Sequence, residues 1–132
     1  MKSNLVLPTF ILIGTALIVV VMLLGKQNAS DDQDQAVNNV SVVDGTQIIT
    51  INAKGGYSPD VTSASAGMPT IIKVATQGTF DCSSALTIPS IGYSAYLPPS
   101  GVTEIPLPAQ QTGTVLRGIC AMGMYNFSVN FN

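Results

Sequence analysis

The chain contains no histidine and no tryptophan, only two cysteines, and charged side chains at just 9% of its 132 positions. Without histidine it lacks the side chain that most often serves as a general base and most often ligates metals. A Ser–His or Cys–His nucleophile pair therefore cannot be assembled from this chain. Acid–base chemistry would fall to Asp81 or Glu104, and neither has a second carboxylate near it in sequence. These absences argue against an enzyme. Basic residues are equally sparse: beyond Lys26 they are Lys54, Lys73 and Arg117, set against all seven acids of the chain. A mildly acidic region with no basic cluster speaks against a nucleic-acid partner. Nor does any helical period follow residue 27.

One long apolar run is present. From Leu5 to Leu24 the chain reads LVLPTFILIGTALIVVVMLL, free of charge and long enough to cross a bilayer as a single helix. Pro8 falls near its start, where a helix tolerates proline best. A cleaved secretory signal would have a shorter run followed by a small-x-small site. Here Gln27 stands three residues back from the Ala29–Ser30 bond, and no cysteine follows the run to take a lipid. Residues 1–26 are accordingly expected to be an uncleaved signal anchor. Lys2 and Lys26 nearly balance across it, and the free amino terminus tips the short N-terminal tail inward. The expectation is a single-pass membrane protein whose C-terminal part lies on the extracytoplasmic side. Residues 27–44 are rich in Asn, Asp, Gln and Ser and poor in apolar side chains, which predicts a flexible polar linker.

From Gly45 the pattern changes to short β-branched segments separated by turns. Gln47–Ala53, Thr70–Ala75, Leu86–Ile88, Thr103–Leu107, Gly113–Cys120 and Asn126–Phe131 each read as strands. Pro106 predicts an edge position or a strand ending, and Gly55-Gly56 a turn, since no lysine or helix start follows to make a phosphate loop. Many short strands in residues 45–132 predict an all-β sandwich or barrel. A domain of this size holds a marginal core, which a disulfide or metal would support.

The chemistry is concentrated in sulfur. Cys82 follows Gly78-Thr79-Phe80-Asp81, and Cys120 opens Cys120-Ala121-Met122-Gly123-Met124-Tyr125. Two thiolates and two thioethers are soft donors, suited to Cu(I) over hard cations. On an extended segment Cys120, Met122 and Met124 share one face. If the chain instead turns tightly around Gly123, only one methionine reaches the same point as Cys120. The same even pair of cysteines in an exported domain also fits a structural disulfide, and methionines are commonly core filler. Both readings stand on the residues alone.

The ordered set Ile51-x-Ala53-x-Gly55-Gly56-Tyr57-x-Pro59, Ala66-Gly67-x-Pro69, Gly78-Thr79-Phe80-Asp81-Cys82 with Ile88-Pro89 beyond it, and Cys120-x-Met122-Gly123-Met124-Tyr125 resembles a cupredoxin-like domain. The nearest type is the small membrane-anchored or transporter-linked one with a Cys-x-Met-Gly-Met loop. The likeness spans Gln47 to Phe131. It implies a Greek-key β-sandwich with a copper site at one end. Cys82 would stand where ordinary blue-copper proteins have a histidine, and Cys120, Met122 and Met124 would lie on the ligand loop before the final strand. With no histidine, a His₂Cys site cannot form. Asp81 stands where many relatives have glycine, and Asn126-Phe127 replaces a tyrosine-x-glycine ending. The implied role is holding Cu(I) or handing it over, with electron transfer second. The implied partner is a copper transporter or redox membrane complex.

Overall fold

The computed structural model describes residues 38–132, so the apolar run and most of the expected linker lie outside the described residues. Ten strands follow one another: β1 (Val40–Val43), β2 (Thr46–Ala53), β3 (Tyr57–Ser58), β4 (Val61–Ala64), β5 (Thr70–Gln77), β6 (Ala85–Ile88), β7 (Tyr93–Tyr96), β8 (Ser100–Leu107), β9 (Val115–Cys120) and β10 (Asn126–Phe131). Two short 3₁₀ turns, Cys82–Ser84 and Pro89–Ile91, are the helical pieces among the described residues.

The strands form two open five-stranded sheets. The first runs β1-β2-β5-β8, with β3 also paired to β2; the second runs β4-β10-β9-β6-β7. β2–β5 and β4–β10 are parallel pairs and the rest are antiparallel. The alternation expected of half-buried strands is plain. Ile49, Ile51 and Ala53 of β2 and Ile72 and Val74 of β5 face inward, as do Leu86 and Ile88 of β6, Leu116 of β9, and Phe127, Val129 and Phe131 of β10. These side chains from both sheets make one core. Each large one contributes roughly 1.5–3 kcal/mol by leaving water.

Cross-strand packing imposes one strict requirement. Gly118 of β9 lies directly opposite Phe127 of β10. A Cβ at Gly118 would overlap the Phe127 ring, so only glycine lets that ring lie flat across its neighbour. Pro106 sits on β8, which ends the first sheet, in keeping with the edge position read from its missing N–H.

The boundary at residue 44 needs correcting. Val40–Val43 of the expected linker form β1 and pair antiparallel with β2, from Val40 opposite Ile49 to Val43 opposite Thr46. Asp44 and Gly45 close this hairpin with φ of 50° and 77°, the left-handed pair that a tight two-residue turn demands. The polar composition around these valines masked a short edge strand.

Strand register defines two ends of the sandwich. One holds Gln47, Ala64 to Thr70, Leu107 and Phe131; the other holds Ala53 to Tyr57, Gln77 to Ala85, and Cys120 to Asn126.

Candidate functional site

Cys82 is positioned by the turn that precedes it. β5 ends at Gln77, and the chain reverses at Gly78 with φ 59°. Thr79 donates its N–H to the Pro99 carbonyl at 2.9 Å and its hydroxyl to the Ala53 carbonyl. Asp81 then caps the 3₁₀ turn Cys82–Ser84. One carboxylate oxygen accepts the Ser83 N–H at 2.8 Å and also the Ser83 hydroxyl. The other accepts the Gly55 N–H at 2.8 Å, tying in the β2–β3 turn. The Ser83 hydroxyl first, then the Gly55 and Ser83 N–H groups, hold the Asp81 carboxyl below its ordinary value.

Tyr57 closes this knot from beneath. Its hydroxyl donates to the Ser83 carbonyl at 3.1 Å, and its ring meets Phe127 edge-on at 5.2 Å between centroids. Burial, with the Asp81 charge adding to it, pushes the Tyr57 hydroxyl up to about 12. The phenol therefore stays protonated and donating at any physiological pH.

Cys120 is the last residue of β9, opposite Leu86 of β6, and is 1% exposed. The chain after it does not stay extended. Gly123 N–H donates to the Cys120 carbonyl at 2.8 Å, and Cys120 N–H donates to the Tyr125 carbonyl at 2.9 Å. Gly123 adopts φ 72°. Ala121 N–H donates to the Ala85 carbonyl at 2.9 Å, fastening the turn to β6. Tyr125 N–H reaches the Cys120 Sγ at 3.4 Å. The Tyr125 ring lies over Gly56, 3.5 Å from where a Cβ there would stand. The β2–β3 turn, the Cys82 turn and the Cys120 turn thus brace one another.

The two cysteines, 38 residues apart in sequence, meet at this end with Cα atoms 5.7 Å apart and are joined as a disulfide. Met122 is 76% and Met124 62% exposed on the turn beside them. The tight-turn alternative is therefore the one observed. Cys120 points into the core while both methionines face solvent, so the three sulfurs do not share a face. The cause is local: Gly123 in a left-handed conformation reverses the chain before strand parity can carry from Cys120 to Met124.

The remaining polar and aromatic side chains divide by burial. Tyr57 is buried, whereas Tyr96 is 85% exposed. Ser83 is fully buried and bonded to Asp81. Glu104 pairs with Lys73, its direct neighbour across β5 and β8, at 3.2 Å. Asp81 is the site-builder that sequence reading missed as such. Its signal was present, an Asp one residue ahead of Cys-Ser-Ser, the pattern of a cap that bonds forward.

Among the described residues no three His, Cys, Asp or Glu side chains cluster as metal ligands. A metal held at this end would draw on the two cysteines and on sulfur from the methionine turn.

No protein-family model matches the chain, and no curated protein matches it in sequence. Solved structures do match. The metal-binding domain of the Cu(I)-exporting P-type ATPase CopA of Streptococcus pneumoniae, solved with Cu(I), aligns with a TM-score of 0.63 at 22% identity. The alignment covers 70% of this chain and 92% of that domain. A copper-binding protein solved by NMR in its apo form aligns with a TM-score of 0.63 at 20% identity, covering 70% of this chain and 94% of that one. At such identities the likeness is one of fold.

Proposed function

We propose that this chain is a membrane-anchored, extracytoplasmic copper-holding protein with a cupredoxin-like Greek-key domain. In its reduced form it takes Cu(I) through Cys82 and Cys120, with Met122 or Met124 completing the donor set. One observation carries this reading: the fold brings the only two thiols of the chain to one point, beside a turn that presents two exposed thioethers. Exposed methionines on a small domain contribute little to its core, whereas soft donors grouped at one end suit a closed-shell monovalent ion. The fold likeness to a Cu(I) exporter's metal-binding domain supports the same chemistry. The ion is cargo in this proposal. It is held and passed to a copper transporter, without chemical change to a substrate, and electron transfer is the secondary role. The run from Leu5 to Leu24 supports the anchor and the outward placement of the domain.

A second reading rests on the Cys82–Cys120 disulfide itself. A stapled sandwich would serve as a structural or interaction module and bind no metal.

The test is a thiol count on the full chain, followed by a Cu(I) competition titration after reduction. One-to-one binding that is lost in Cys120→Ser supports the copper proposal. Reduced protein that binds no Cu(I) overturns it and leaves the stapled module. Met122→Leu and Met124→Leu should shift stability by no more than about 0.5 kcal/mol. At least one of them should weaken Cu(I) binding, which identifies the thioether that ligates.

A further inference from the structure

The disulfide is asymmetric in a way that assigns chemical roles to its two sulfurs. Cys120 is 1% exposed at the inner end of β9, whereas Cys82 is only partly buried, at the start of a 3₁₀ turn on the surface. An incoming thiolate needs access to the sulfur that it attacks, and exchange is faster when the departing thiolate is stabilised. Tyr125 N–H points at the Cys120 Sγ from 3.4 Å, ready to bond whichever charge forms there. Tyr125 is held in that position at both faces. Its carbonyl accepts the Cys120 N–H at 2.9 Å and its ring rests on Gly56. The Cys82 turn is braced separately by Asp81, so opening the disulfide leaves both backbone segments tied down.

We infer that Cys82–Cys120 is an exchangeable disulfide with fixed polarity, a site for thiol–disulfide exchange with an external dithiol. Cys82 is the sulfur attacked and Cys120 the leaving sulfur. In the first step a thiolate of the dithiol bonds to Cys82 Sγ, the Cys82–Cys120 bond breaks, and its electron pair passes to Cys120 Sγ, where Tyr125 N–H meets it. In the second step the other thiolate of the reductant attacks its own sulfur in the mixed disulfide, and the electron pair leaves on Cys82. The reductant departs as a disulfide and the protein is left with two thiols, each sulfur taking one proton at neutrality. Tyr125 is a positioning residue acting through its backbone. This inference stands independently of the copper reading. Where both hold, exchange is the event that exposes the donor pair.

The test uses the oxidised full chain and glutathione, a monothiol whose mixed disulfide is captured by quenching early, before Cys120 recloses it or a second glutathione resolves it. After an acid quench and alkylation, peptide mapping by mass spectrometry should find the adduct on Cys82, in about tenfold excess over Cys120. An adduct equally shared or favouring Cys120 overturns the polarity. No adduct until urea unfolds the chain overturns exchange altogether. In parallel, the Cys82 thiol of Cys120→Ser should react with Ellman's reagent about tenfold faster than the Cys120 thiol of Cys82→Ser, and urea should bring the two rates together. Equal native rates overturn the inference. The glutathione mapping needs no variant, so it decides the matter even where a substitution prevents folding. No metal enters either readout, so failure here is distinguishable from failure of the Cu(I) titration.

Discussion

The two ends of the sandwich solve different problems with the same kind of backbone. At the end holding Gln47, a polar side chain 1% exposed is completely accommodated. Its amide donates to the Ser65 carbonyl at 3.1 Å and the Thr70 hydroxyl at 3.0 Å, and its oxygen accepts the Ser65 N–H at 2.8 Å. Every buried side-chain nitrogen and oxygen there has a partner, as a structural closure requires. At the cysteine end the buried side-chain hydrogen bonds are just as complete, and the exposed apolar side chains are larger. Phe80 is 83%, Met122 76% and Met124 62% exposed, against Val42 57%, Val43 51% and Val115 51% at the Gln47 end. A domain that can bury Phe127 and Phe131 fully does not expose these side chains for want of a core. The difference is one of side-chain type: short β-branched groups lie outside at one end, and an aromatic ring and two thioethers at the other.

The largest expected effect breaks the cysteine end directly. Reducing Cys82–Cys120, 38 residues apart, should lower unfolding free energy by about 4 kcal/mol in the chain-entropy account. Urea denaturation with and without reductant measures this. A loss under about 1 kcal/mol would show that the Asp81 and Tyr125 bracing holds this end without the covalent bond.

Next is Gly118→Ala, which strikes between the two ends. Its new methyl overlaps the Phe127 ring and should cost about 3 kcal/mol, read from the same denaturation curves. Gln47→Ala sharpens the comparison. It strips partners from the Ser65 N–H and the Thr70 hydroxyl and should cost about 2 kcal/mol. Glutathione reactivity of the disulfide should meanwhile stay at the wild-type rate, if the ends are as separate as their bonding implies.

The smallest effect is a pH dependence confined to the cysteine end. The Asp81 carboxyl is held below its ordinary value of 3.8 in the folded chain. Its stabilisation is therefore fully present above that value and is lost as pH falls through the lowered folded one. Asp81→Asn should abolish that share of the acid sensitivity. Comparing urea midpoints of the two chains at about pH 5 and again at about pH 2.5 checks the sign. The gap between wild type and variant must narrow on acidification.

Much of the framework was legible before any coordinates. β2, β5 and β10 alternate clearly enough that their inward residues could be named, because a half-buried strand writes its burial into every second position. Pro106 marked Thr103–Leu107 as an edge strand or a strand ending, and β8 is the edge. β1 was not legible from composition, although Asp44-Gly45 is a hairpin signal, because two sides of polar text diluted its valines. β4 and β7 were missed for a related reason. β4 is a short strand whose inward residues are Thr62 and Ala64, and β7 is an edge strand with little buried on either face. At the site, the donor types were readable but their directions were not. Cys120, Met122 and Met124 have the spacing of one strand face, and the turn that Gly123 closes on the Cys120 carbonyl changes which way two of them point.

The sequence by itself determined the chemistry available. With no histidine, the soft donors had to be cysteine and methionine sulfur, because donor type is a property of the side chain alone. Cys82, Cys120, Met122 and Met124 were singled out among them by the spacing of the Cys-x-Met-Gly-Met segment. Tertiary structure decided everything that depends on position. It brought two cysteines 38 residues apart to a Cα separation of 5.7 Å, buried one more deeply than the other, and turned both methionines outward. It also recruited Asp81, Gly55 and Tyr57 to hold that end. Such relations arise from the register of strands distant in sequence and from backbone hydrogen bonds between turns, and no single stretch of residues encodes them.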